Sequence, residues 1–292
     1  MDIDGDGRRD ILSGSYSRMT NDMAGLFQVL YGKTDGTFRK AEVLKGTDGE
    51  PLIIPVHSKP GAGEDWINNI CTRPFAVDWD GDGHLDLVVG TFPGKLYLFK
   101  GQGSGKFLPK PEEMKAGDRP LLVAGHHGDP FVTDWDGDGD LDILSGSSEG
   151  GVQWAENLAG PEKPPRVEPF RMLIGHGPRV DYGSILRDAD IKGPLTDTRV
   201  WVDDVNSDGK LDILVGDMAP LISPADGLSE AEFKKMFDEW TKEREQTSKK
   251  MQEAKDDKER TKAQQRIQEL YQERTKFMKE ERTGFVWLYL RK

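Results

Sequence analysis

Short apolar runs recur along this chain, and each is entered from a loop of aspartate and glycine. The runs at 11–14, 87–90, 143–146 and 213–216 read ILSG, LVVG, ILSG and ILVG. A second apolar run follows each, at 25–32, 94–101, 151–156 and 284–290, and a third follows in the earlier units, at 38–44, 107–110 and 167–173. Just ahead of three of the loops stand PFAV at 74–77, PFVT at 130–133 and RVWV at 199–202. Runs this short, punctuated by Gly and Asp, predict antiparallel strands in repeated units. Each unit holds up to four strands, with the Asp loop joining the first two.

One stretch breaks the β pattern. From 228 to 282 the chain turns Lys/Glu/Gln-rich and loses Gly and Pro. Ser229 followed by Glu232 forms a capping box that opens a helix, and Phe233, Met236, Phe237 and Trp240 recur at helical spacing. Ala263, Ile267, Leu270, Tyr271 and Met278 make a second stripe beyond the charged residues 256–258. The pattern predicts two antiparallel helices, each about 35 Å long at ~1.5 Å per residue, inserted at 228–283 before the chain resumes as a strand at 284–292. Such an arm is either a surface for a partner or a second copy, or a solvated spacer packed on its own face.

The fold class expected is therefore all-β: a β-propeller of four-stranded antiparallel blades over 1–227, with at least four blade units and a helical hairpin inserted in the last. The loops begin at Asp2, Asp78, Asp134 and Asp204, so the units carry insertions of unequal length. The first unit lacks the strand that precedes the other loops. The expectation is a chain that begins within a longer protein, where an export signal would also lie, since none is visible here.

The loops carry the chemistry. They read DIDGDGRRD, DWDGDGHLD, DWDGDGDLD and DVNSDGKLD. Positions 1, 3, 5 and 9 are Asp2, Asp4, Asp6 and Asp10; Asp78, Asp80, Asp82 and Asp86; Asp134, Asp136, Asp138 and Asp142; and Asp204, Asn206, Asp208 and Asp212. Carboxylates crowded on so short a loop repel one another unless a cation holds them, and alternating oxygen ligands suit Ca²⁺. Position 7 is Arg8, His84, Asp140 or Lys210, which share no side-chain chemistry, so any ligand there is the backbone carbonyl. Up to four Ca²⁺ are expected. An EF-hand needs Glu at position 12, and here that position is Ser13, Val89, Ser145 or Val215, which excludes it.

These loops and strands resemble the FG-GAP/VCBS repeats of integrin α-subunit propellers and of exported bacterial repeat proteins. The resemblance covers most of the chain outside the helical segment, with Asn206 and Ser207 as its mild departures. It implies a calcium-stabilised propeller used for binding or adhesion, although the family also includes lectins and polysaccharide lyases, and a shared fold does not assign an activity.

Charge agrees with site acidity. The net charge is −12, and four divalent ions would bring it to about −4. A negative surface disfavours nucleic acid and anionic membrane as partners, and no run is apolar and long enough to span a bilayer. A protein or a carbohydrate is the partner expected. Calcium loops of this kind serve where calcium is abundant, which points outside the cytoplasm. Cys71 stands alone, so no intrachain disulfide exists, and a small buried apolar role is expected of it.

Histidines mark the connections between units. His57, His126, His127 and His176, with Asp129, Arg179, Asp181 and Tyr182 nearby, are candidates for a ligand, transition-metal or acid/base site on the face opposite the Asp loops. A carbohydrate-active lyase or hydrolase using that face is the enzymatic alternative to a binding module. Histidine in Gly-rich turns is otherwise ordinary turn chemistry. Trp79 and Trp135 are expected to pack between blades.

Overall fold

The computed structural model describes residues 1–15, 25–54, 70–161, 163–177 and 185–292. These form mostly antiparallel β-sheets and two long helices, in two compact units. The larger unit comprises Met1–His176, Pro194–Asp217 and Phe285–Lys292, and the smaller one Gly177–Gly193 and Met218–Gly284.

In the larger unit, the first sheet has the order β1 (Ile11–Ser13), β2 (Gln28–Leu30), β3 (Glu42–Val43). The second is β4 (Arg73–Val77), β5 (Asp86–Gly90), β6 (Leu96–Phe99), β7 (Glu112–Glu113), with a hairpin of β8 (Lys115–Ala116) and β9 (Arg119–Pro120) after it. The third is β10 (Asp129–Thr133), β11 (Asp142–Gly146), β12 (Val152–Ala155), β13 (Arg171–Ile174). In the last sheet β14 (Thr196–Asp203) neighbours β15 (Asp212–Pro224), whose first residues pair with β17 (Val286–Tyr289). The strand expected at 284–290 is thus paired with the run after the fourth loop, Ile213 opposite Tyr289.

Alternation in the second strand of each sheet serves two cores at once. Leu87 and Val89 pack with Phe27, Val29 and Leu44 of the first sheet, while Val88 faces Val132 and Ile143 of the third. Leu144 turns the other way, towards Val200, Val202, Ile213 and Val215. Successive sheets therefore stack face to face, and β5 and β11 are buried along their whole length. Trp79 and Trp135 lie in these cores, 6% and 8% exposed. Cys71 is buried and in no disulfide.

The junctions between sheets follow one rule. Backbone N–H groups of Thr72, Gly128 and Thr198 donate to the carbonyls of Ser15, Thr91 and Ser147, at 3.0, 3.1 and 2.9 Å. Gly14, Gly90 and Gly146, which close the apolar runs, lie directly against those same three residues, and a Cβ on any of them would overlap the facing carbonyl oxygen. Glycine is required there for backbone-to-backbone approach.

In the smaller unit, α1 (Glu230–Glu253) opens as expected: Ser229 N–H donates to Glu232 Oε2 at 2.8 Å, and Glu232 N–H to Ser229 Oγ at 3.3 Å. Asp256 caps α2 (Asp257–Glu273). Phe233, Phe237, Trp240 and Leu270 pack with Ile222 and Phe277, and Trp240 Nε1 donates to the Leu270 carbonyl at 2.7 Å. Arg266 of α2 reaches back to Glu243 of α1, which fixes the antiparallel pairing. The helical arm is shorter than expected. Residues Met278–Thr283 form β16, which pairs with the second half of β15, Ala219 opposite Thr283. Met278 belongs to that strand rather than to a helical stripe, and Met236 and Tyr271 are exposed.

Candidate functional site

The four Asp loops share one hydrogen-bonded conformation. The first carboxylate accepts N–H groups from across its loop: Asp2 from Gly5 and Gly7, Asp78 from Asp82 and Gly83, Asp134 from Gly137 and Gly139, Asp204 from Asp208 and Gly209. Position 5 accepts from position 7 in every copy, as Asp138 Oδ1 does from Asp140 N–H at 3.1 Å. Such Asx bonds hold a tight turn. Positions 4 and 6 lie at positive φ throughout, with Gly5, Gly81 and Gly137 at 75–86° and Ser207 at 61°. Ser207 alone carries a side chain there. Ser207→Gly is expected to raise unfolding stability by up to about 1 kcal/mol, read as a higher urea midpoint at unchanged slope.

Position 9 ties each loop to its sheet. Asp10 accepts from Ile3 N–H and Gly32 N–H, both at 2.8 Å; Asp142 from Trp135 N–H at 3.2 Å and Asn157 N–H at 2.8 Å; Asp212 from Val205 and Arg291. Asp86 takes Gly101 N–H at 2.6 Å and the Lys100 ammonium at 3.0 Å, and Lys100 also pairs with Asp80. Asp86, Asp142 and Asp212 have no exposure. Burial pushes the Asp142 carboxyl up to about 6, with the Asp136 charge adding to it, and it raises Asp86 in the same direction.

Donor chemistry suits a hard cation. Three loops bring one carboxylate oxygen from each of three residues within 4.8 Å of one another: Asp2, Asp4 and Asp10; Asp78, Asp80 and Asp82; Asp134, Asp136 and Asp138. Two oxygens on opposite sides of Ca²⁺ at ~2.4 Å would stand about 4.8 Å apart. In the fourth loop Asn206 replaces an acid and donates from Nδ2 to Asp208 at 3.2 Å. At position 7 the Arg8 guanidinium pairs with Asp6 of its own loop and donates from Nε to Gly32 O, the His84 ring lies against Gly103, and Asp140 accepts from Gly160 N–H at 2.6 Å through one carboxylate oxygen. Lys210 is exposed. The group that position 7 has in common across the four loops is its backbone carbonyl.

His126 stacks on Phe92, centroids 5.1 Å apart, while His127 meets the same ring edge-on and bonds Asp197 through Nδ1 at 3.1 Å. His176 lies beside Gly150. Asp129 stands between Arg73 and Arg199, its oxygens 3.4 and 3.8 Å from their Nε atoms. His57, Arg179, Asp181 and Tyr182 fall outside the described residues. The residues missed in the sequence are Arg73, Asp197 and Arg199. Their signal was a fixed offset: Arg73, Asp129 and Arg199 each precede the first Asp of their loop by five residues.

Among known families, the model of the FG-GAP-like repeat matches residues 78–145, from the second Asp loop through most of β11. Searches of curated proteins and of solved structures give no match. No described helix is long and apolar enough to cross a membrane.

Proposed function

We propose that this FG-GAP-like repeat protein is a calcium-stiffened β-propeller that serves as a protein-interaction module outside the cytoplasm. The observation that carries the metal reading is the convergence of carboxylate oxygens in three successive loops with one backbone conformation. Bound there, Ca²⁺ supplies countercharge and folding free energy rather than chemistry. The residues that would hold it are positions 1, 3, 5 and 9 of each loop, with the position-7 carbonyl. The face-to-face stacking of sheets through a repeated glycine junction supports the blade reading. FG-GAP repeats generally mediate protein interactions and are typically extracellular, which supports both the role and the location.

Calorimetric titration of metal-stripped protein tests the proposal. About three Ca²⁺ are expected to bind per chain, with Mg²⁺ at least tenfold weaker, because Mg²⁺ dehydrates reluctantly and demands a tighter octahedron. Equal affinity for both ions, or no heat with either, would remove the calcium reading.

A further inference from the structure

At the ends of the sheets away from the Asp loops, the first strands of three units begin alike. Seven residues ahead of each loop stand Cys71, His127 and Asp197, at φ of 54°, 63° and 49°. A non-glycine residue is strained in this conformation, and the chain repeats it at all three junctions. Two residues later come Arg73, Asp129 and Arg199, which this shared geometry sets side by side as a row of alternating charge. The two guanidiniums flank the Asp129 carboxylate, and a second carboxylate, Asp197, bonds the His127 ring.

Two atoms of this cluster are unsatisfied. Among the described residues, Arg73 Nη1 and His127 Nε2 are buried without a hydrogen-bond partner. Since His127 Nδ1 bonds Asp197, Nε2 is the acceptor of the neutral ring, and burial holds that ring below its ordinary pKa. An orphaned guanidinium N–H is more costly to leave unmade than most. Arg73 also lines a cavity of about 350 Å³, together with Leu12, Ser13, Thr72 and Asp129 among others, within the size range of small-ligand sites. The hydroxyls of this wall are already used: Ser13 Oγ donates to Gly14 O, and Thr72 Oγ1 accepts Ser15 N–H.

We propose that Arg73, at the head of the Arg73–Asp129–Arg199 row, is a carboxylate-binding site. One carboxylate accepts from Nη1, the buried donor of the row that no described residue engages. A phosphate would crowd two negative charges onto one group facing Asp129. The carboxylate belongs either to a free small acid or to an acidic side chain of a peptide. The site rests on the reading of the chain as a binding module, but none of its residues lies in the metal loops. Its failure and the failure of the calcium reading are therefore measured separately.

The test is titration of the calcium-equilibrated full chain with succinate, with a blocked tetrapeptide carrying one glutamate, and with the matched glutamine peptide. Binding of succinate alone identifies a free acid, and binding of the glutamate peptide alone identifies a peptide partner. Both support the site, provided that the glutamine peptide does not bind. Arg73→Lys is expected to weaken binding at least tenfold, since an ammonium does not reproduce the guanidinium fork. Asp129→Asn removes the negative wall and is expected to tighten binding at least threefold, which decides the matter if Arg73→Lys fails to fold. No binding in either arm, or affinities unchanged in both variants, would overturn the proposal. So would a crystal structure showing only water at Arg73 Nη1 in saturating succinate.

Discussion

Gly90→Ala and Gly146→Ala are each expected to cost about 3 kcal/mol of unfolding free energy, at the upper end of overpacking penalties. A methyl group at either position meets backbone, the carbonyls of Gly128 and Thr198, so no rotamer change relieves the clash. The N–H groups of those same residues bond back to Thr91 and Ser147, and separating the strands to admit a methyl would stretch those bonds too. Gly216→Ala provides the control. There the nearest atom is the Arg199 Cβ at 4.0 Å, an ordinary contact, and a change within about 1 kcal/mol is expected. Urea midpoints of the three variants, at fixed calcium, measure the contrast. Equal losses in all three would mean that the close junction is not what requires glycine at 90 and 146.

Asp138→Ala and Asp82→Ala separate metal binding from loop folding. Asp138 is exposed and contributes one Asx bond, to Asp140 N–H. Its loss in EGTA is therefore expected to be small. In calcium at about a hundredfold over Kd, each variant should forfeit the ~2.7 kcal/mol that one saturated site contributes. The pH dependence carries the same distinction. Without metal, the Asp142 carboxyl sits near 6 because it is buried, above its unfolded value of about 3.9. A raised carboxyl stabilises the fold in its protonated form, so metal-free stability falls as pH rises from about 4 through 6. Calcium favours the ionised carboxylates and should flatten or reverse that slope. A melting temperature in EGTA that climbs steadily across this range would contradict the assignment of Asp142.

Much of this architecture is written in local pattern. The strand at 286–289 was legible 70 residues after the run it pairs with, because LVVG-type runs and their apolar partners recur in every unit. The helix start at Ser229 was legible because capping is a contact between near neighbours. β16 was not. Its sequence MKEERT is charged and half exposed, without the alternation that marks a strand, and only its pairing with the extended β15 makes it one. Met236 was assigned to the buried stripe on spacing alone, although Phe233, Phe237 and Trp240 fill that core without it. In the candidate sites, residue identity showed the Asp loops, whereas the Arg73–Asp129–Arg199 row was hidden because its members differ in charge from unit to unit. Position −5 of each loop carries the information, and residue type alone does not.

Thermal melting in calcium and in EGTA, paired with metal analysis of the protein as purified, tests the central claim most directly. A rise in melting temperature of many degrees with about three calcium ions per chain is predicted, as three saturated sites each adding a few kcal/mol require. Superimposable melts with no bound calcium would mean that the Asp loops are held by their Asx bonds alone, and the metal reading would fall.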